Sequence, residues 1–190
     1  LLDAGVRFAP GVARSALPRG TTAAARALAA RTGRALPVHL RSEPVSAWDW
    51  FWTADPPPRQ SGEERVVELA GDGGRTVART LLDEANPAAE LDPALPGSRW
   101  WGWLDDAGTV RAVAGARRAG PGTAWELGSV ATHPAWRGRG AGRAVTAVAT
   151  RAGLEDARVV ALGMYADNDT ARRVYDGLGY VVGQRFESRR

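Results

Sequence analysis

A run of glycine and arginine, Arg137-Gly138-Arg139-Gly140-Ala141-Gly142-Arg143, holds the residue types needed to bind a diphosphate. Glycine permits backbone conformations in which successive N–H groups turn towards one ligand. Behind the run, Ala141, Ala144, Val145, Val148 and Ala152 recur at helical spacing, and Gly153 is expected to end that helix. Free amides at a helix start, together with the helix dipole, favour an anion. Arg137, Arg139 and Arg143 add positive charge at the same end. Ahead of the run, Trp125–Thr132 is apolar and free of proline, so a buried strand is expected, stopped by His133-Pro134. One acid interrupts that strand. Glu126, between Trp125 and Leu127, is a candidate general base, because the burial expected there raises a carboxyl pKa towards neutrality.

The loop is not a Walker A, since no Lys-Ser/Thr closes it, and it lacks the G-x-G-x-x-G spacing of a dinucleotide fold. It fits R/Q-x-x-G-x-G/A, set inside Val130-Ala131-Thr132-His133-Pro134-Ala135-Trp136-Arg137-Gly138-Arg139-Gly140-Ala141-Gly142. That segment resembles the cofactor motif of the GNAT superfamily of acyl-CoA-dependent N-acetyltransferases. A second stretch, Asn168-Asp169-Thr170-Ala171-Arg172-Arg173-Val174-Tyr175 with Gly177, Gly179 and Tyr180 behind it, is similar to the superfamily's N-x-x-A-x-x-x-Y-x-x-x-G-F/Y segment. Asn168 or Asp169 can cap a helix there, with Ala171, Val174, Tyr175 and Leu178 on one face and the two glycines at its end. The resemblance covers residues 63–187 and is specific to superfamily, not to substrate.

The resemblance implies an α/β fold with a mixed, mostly antiparallel twisted sheet flanked by helices and with splayed central strands. It also implies direct attack of a neutral amine on the thioester of acetyl-CoA. On that reading the backbone of residues 137–143 holds the pyrophosphate, and Val130, Ala131 and Thr132 pair with the pantetheine arm. Asn168, Ala171 and Tyr175 form the far side of the cofactor cleft. The Val130 N–H is the expected oxyanion donor, and Gly128 hints at a bulge that opens the strand beside it. Tyr175 is the candidate acid for the departing thiolate. Glu126 lies 11 residues before Arg137, the superfamily's spacing for a strand base. From Glu126 to Val130 an extended chain spans about 13 Å, so a water relay is expected. His133 fits the V/T-H-P spacer and is given no chemistry.

Composition narrows the remaining classes. With zero Cys, disulfides, thiolate catalysis and most zinc sites are excluded, and a cytoplasmic protein is the default expectation. No apolar run approaches the length of a membrane span, and no basic segment leads into a sustained apolar core after Leu1-Leu2. All 25 Lys+Arg are Arg, scattered along the chain with a net charge of only +4, so no basic stripe for nucleic acid is expected. At 190 residues there is room for one sizeable core and an appended region.

That region is expected over residues 1–62, ahead of an acetyltransferase domain over residues 63–190, with Asp55-Pro56-Pro57-Pro58 as the stiff link between them. Within it, residues 1–20 read as a loop or arm, Thr21–Thr32 as a threonine-capped helix closed by Gly33, and residues 36–40 as a strand in which His39 faces solvent or a satisfied partner. Trp48, Trp50 and Trp52 alternate with Asp49 and Phe51. The tryptophan face is expected to cover the sheet or meet a second copy of the chain in a homodimer. The sharper alternative is an aromatic wall for the acceptor, or a stacking surface for a ring or cation. Further on, residues 65–70 are an expected strand, residues 74–86 a helix with Val77, Leu81 and Leu82 inward, and residues 87–97 a loop that the resemblance implies lies on the substrate side. Arg99–Leu104 and residues 109–116 form a hairpin, residues 119–122 a turn, residues 158–165 a buried strand and residues 180–187 the closing one. The leading function is N-acetylation of a primary amine on a small molecule or peptide. The alternatives are an acyl-CoA sensor or scaffold without turnover, and a protein N-acetyltransferase.

Overall fold

Alternating short apolar stretches and helical periods give eight strands and four helices in a computed structural model that describes residues 15–37, 40–118 and 124–189. In order they are β1 (Ser15–Pro18), α1 (Thr21–Thr32), β2 (Ser46–Thr53), β3 (Val66–Glu68), α2 (Gly71–Ala85) and β4 (Arg99–Leu104). There follow β5 (Val110–Arg118), β6 (Trp125–Thr132), α3 (Ala141–Asp156), β7 (Val160–Tyr165), α4 (Asp169–Asp176) and β8 (Val181–Arg189). The class is α/β with a mixed, mostly antiparallel sheet: β3, β4, β5 and β6 pair antiparallel in turn, as do β1 and β8, while β6 and β7 run parallel.

The described residues fall into two compact units that interleave along the chain. One takes Trp52–Leu162 and Arg173–Val181. Its strands lie in the order β7-β6-β5-β4-β3. On one face Ala78, Leu81 and Leu82 of α2 meet Leu91, Trp100, Val113 and Ala131 in a closed apolar cluster. Val77, expected inward, is 41% exposed, because the stripe that faces the sheet runs through Ala78 instead. On the other face α3 lies so close that a Cβ at Gly153 would come within 2.9 Å of Val160 and 3.2 Å of Trp125. Gly153 therefore does not end α3, as the sequence suggested. It sits inside the helix, where only a hydrogen fits.

The other unit takes the described residues of Leu1–Phe51, Gly163–Arg172 and Val182–Arg190, with strand order β1-β8-β2-β7. Ser15–Pro18, expected in a loop or arm, is a strand because β8 offers it a partner over Ser15↔Arg189 to Pro18↔Phe186. The N-terminal segment thus shares a unit with the C-terminal strand. Thr21 is not the cap of α1: Gly20 holds that place in the left-handed region, and the Thr21 hydroxyl donates to Pro18 O. Leu36, Pro37 and Leu40 lie in no strand, and the expected turn at residues 119–122 and His39 lie outside the described residues.

In β2 the alternation holds but its buried side is reversed. Asp49 and Phe51 are inside, whereas Trp50 is 36% exposed. An acid can occupy the buried face because Asp49 accepts from Arg19 at 2.5 Å and Arg172 at 2.7 Å, which supplies the pairing a buried charge requires. Trp48 stacks on Phe186 at 4.3 Å and donates to Ser188.

Candidate active site

β6 carries the strand part of the site, and its two neighbours treat it differently along its length. Parallel pairing with β7 covers Trp125↔Val160, Glu126↔Ala161 and Leu127↔Leu162, while β6 runs on to Thr132. On the β5 side the register jumps from Gly115↔Gly128 to Val113↔Ala131. Ser129 and Val130 therefore face the single residue Ala114, which is a β-bulge. Ser129 has φ 53, and among the described residues it alone outside glycine has a positive φ. A bulge of this kind re-aims the backbone groups beside it, here the N–H of Val130.

Beyond the strand, Pro134–Trp136 makes one 3₁₀ turn, with the His133 Nδ1 accepting from Ala135 N at 3.2 Å. With Nδ1 an acceptor, Nε2 carries the proton and points at Glu84, 3.8 Å away. Gly138 and Gly140 then take φ 76 and 83, conformations that a side chain would strain. A Cβ at either would meet nothing within 4 Å, so the turn is open and not filled by neighbouring side chains. α3 starts at Ala141 with no side-chain cap and no acid in its first turn. Its leading amides lack intrahelical acceptors and form the positive end of the helix dipole. Gly142 brings this start against the end of β6, since a Cβ there would sit 2.8 Å from the Thr132 hydroxyl. These features fit a diphosphate: uncapped donors, an open concave turn and no competing carboxylate.

The three arginines of the run are each engaged elsewhere. Arg137 donates to Thr132 O at 3.2 Å and to Ala85 O at 3.3 Å, tying the end of β6 to the last turn of α2. Arg139 lies over the Trp136 ring at 4.6 Å, with Arg111 at 5.4 Å from the same ring. Arg143 packs against Gly177, and its Nε is buried without a partner.

Tyr175 lies two residues before Gly177 and is 8% exposed. Burial pushes its phenol up to about 12, so it stays protonated at neutral pH. Its ring lies 5.9 Å from that of Tyr180, whose hydroxyl pairs with Thr150 at 2.7 Å. Asn168 caps α4 as expected, accepting from Ala171 N at 3.0 Å, and both residues belong to the unit that contains β8. Glu126 is not buried between its apolar neighbours. Its side chain is 49% exposed and lies 3.8 Å from Arg117, its cross-strand partner. The apolar residues beside it point to the opposite face, so they cannot desolvate it.

Two residues of the candidate site went unnoticed in the sequence. Ser129 accepts from Leu91 N at 2.9 Å and donates to Leu91 O at 3.2 Å. Nothing local marks either residue; the pair Gly115 and Gly128, opposite each other, was the one available signal of a close approach. Among the described residues no cluster of His, Asp and Glu is arranged to hold a metal, and no helix is long and apolar enough to cross a membrane.

A profile of the family described as Acetyltransferase (GNAT) family matches residues 45–180. No curated protein matches the sequence. Among solved structures, the fold is similar to a putative GNAT-family acetyltransferase from Novosphingobium aromaticivorans, at TM-score 0.62 and 24% identity over 75% of this chain and 62% of that one. A GCN5-related N-acetyltransferase from Sphaerobacter thermophilus gives TM-score 0.64 and 22% identity over 92% and 57%. A tandem GNAT protein from the clavulanic acid biosynthesis pathway gives 0.56 and 19% over 86% and 56%. The chain thus spans roughly three fifths of the length of these structures, between 56% and 62%.

Proposed function

The chain belongs to the GNAT acetyltransferase family, and on that premise we propose that it moves an acetyl group from acetyl-CoA to a primary amine by direct attack. One observation carries the reading. The uncapped start of α3, with Gly138 and Gly140 open on its approach, follows a strand whose bulge at Ser129–Val130 redirects a main-chain donor. When bound, acetyl-CoA supplies the thioester carbonyl.

The chain's own residues have five tasks. Main-chain amides of residues 137–143 bind the diphosphate, helped by the charge of the arginines although none is held at the turn itself. The main chain of Val130, Ala131 and Thr132 lies beyond the pairing with β7 and takes an amide-rich arm as an added strand would. The Val130 N–H stabilises oxyanion charge. Glu126 accepts the ammonium proton through water, which its exposure allows, and Tyr175 returns a proton to the thiolate. Asn168 and Ala171 enter as the start of the helix that carries Tyr175.

Exposure of Glu126 favours one second reading, an acyl-CoA holder without turnover. Calorimetric titration with acetyl-CoA, run beside a thiol-release assay on primary amines, separates the two. Heat with thiol release supports the enzyme, heat alone supports the holder, and no heat removes both. Gly140→Ala is the control for the turn: its left-handed φ makes a side chain cost about 1 kcal/mol, and affinity should fall with it.

A further inference from the structure

We propose that Ser129 is a positioning residue: its hydroxyl fixes residues 87–97 to the bulge that aims the Val130 amide, so that acceptor wall and oxyanion donor share one register. The proposal rests on the acetyltransferase reading above and on the expectation that residues 87–97 lie on its substrate side. Its basis is geometric. Residues 87–97 form neither helix nor strand, and they cross the α2 face of the sheet between α2 and β4. At Leu91 this stretch is held twice. The Ser129 hydroxyl satisfies both backbone groups of Leu91, accepting from its N–H and donating to its C=O. The Leu91 side chain, 7% exposed, fills a notch made by two glycines paired across β5 and β6. A Cβ at Gly115 would come within 2.9 Å of it, and one at Gly128 within 3.5 Å.

Serine in the left-handed region is strained, and such strain persists only where surrounding contacts hold it. Here the two bonds to Leu91 are those contacts. Glycine would take the same backbone conformation without strain, so a serine at this position exchanges an easy bulge for a link to the loop. Because the peptide between Ser129 and Val130 is part of the bulge, rotation at Ser129 moves the Val130 N–H and the Leu91 anchor together. An amine seated on residues 87–97 is thereby placed relative to the donor that stabilises its own attack. Misplacement by about 1 Å costs a large part of such an orientation effect.

The test uses the intact chain and Ser129→Gly, which suits the left-handed backbone of the bulge and removes the side chain that bonds Leu91. Substrates are acetyl-CoA and four probe amines: tyramine, lysine, spermidine and an alanine-initiated tetrapeptide. For any amine the parent acetylates, Ser129→Gly is expected to raise its KM about fivefold, as the two lost hydrogen bonds free the loop at Leu91, and to lower kcat. KM for acetyl-CoA should stay within about twofold, because none of the groups proposed to hold it is changed. Exchange of the Leu91 amide should quicken about tenfold once its acceptor is gone. Leu91→Ala leaves the backbone bonds in place and opens the notch, so it should lower the unfolding temperature without separating the two KM values. A Ser129→Gly enzyme that matches the parent for its amine, or that loses acetyl-CoA and amine equally, overturns the positioning role and leaves the acetyltransferase reading intact. A parent that binds no acetyl-CoA, or binds it and acetylates no probe, overturns that reading and this proposal with it.

Discussion

Arg143 and Gly177 occupy one space: a Cβ at Gly177 would overlap the Arg143 Nη2 and come within 3.1 Å of Arg173 O. The first turn of α3, where the diphosphate is proposed to sit, is thereby in contact with the chain just after Tyr175. Gly177→Ala should fold normally, because the overlapping group is the far end of a flexible side chain and the backbone φ of Gly177 is not positive. It should nevertheless displace the guanidinium and weaken acetyl-CoA binding about fivefold, or roughly 1 kcal/mol. A double-mutant cycle with Arg143→Ala is the measurement, since Gly177→Ala should cost nothing further once the arginine is gone. Additive losses would show that Gly177 acts by another route.

Tyr175 gives a pH prediction with a definite sign. Its folded-state pKa, near 12 through burial, lies above the ordinary tyrosine value of about 10. The neutral ring's contribution to stability is therefore complete below about pH 10 and lost as pH rises through about 12. Phenolate absorbance from Tyr175 should appear only in that window, with unfolding; burial raises the Tyr180 phenol too. In turnover, Tyr175→Phe should lower kcat about 10²-fold while moving KM for acetyl-CoA little, as expected for loss of a proton donor. Equal kcat in the two proteins would remove Tyr175 from the chemistry.

The strand, the glycine turn and the following helix were legible because each depends on neighbours in sequence. Trp125–Thr132 and the start at Ala141 needed only proline, glycine and periodicity to locate them. What failed depended on the partner surface. Gly153 looked like a helix stop, yet a glycine beyond a helix and one pressed on Trp125 and Val160 are written alike. The tryptophans of β2 looked buried, but three arginines around Asp49, from Arg19, Arg172 and Arg185, make the polar side the inner one. Arginines at 137, 139 and 143 looked like one anion cluster, whereas the structure sends them to carbonyls, a tryptophan ring and Gly177.

The paired glycines under Leu91 make unequal demands, which gives a stability test independent of any ligand. A Cβ at Gly115 would lie 2.6 Å and 2.7 Å from the Trp100 ring and 2.9 Å from Leu91. Trp100 is 1% exposed and has nowhere to go, so Gly115→Ala should cost about 2 kcal/mol, the range for overpacking. At Gly128 the nearest atom is Leu91 Cβ at 3.5 Å, an ordinary contact, and Gly128→Ala should stay within about 0.5 kcal/mol. Thermal unfolding should place the first variant about 4–8 °C below the parent and the second beside it. The reverse order would mean that the notch is not packed as described.

Glu126 is where the sequence and the structure pull apart most sharply, and the disagreement sets the terms of its test. Spacing to Arg137 nominates it as the base, but its side chain stands 49% exposed beside Arg117. An exposed ion pair contributes little to stability, so Glu126→Gln should unfold within about 0.5 kcal/mol of the parent. Activity should behave otherwise. If the carboxylate collects the ammonium proton through water, its loss removes general-base assistance, and kcat/KM for the amine should fall about 10²-fold. Added salt should leave the parent's rate unaltered if Arg117 merely screens the acid, and Arg117→Ala should then keep full activity. A Glu126→Gln enzyme with the parent's kcat/KM would return the carboxylate to the surface, and proton removal would fall to bulk water or to the amine's own ionisation.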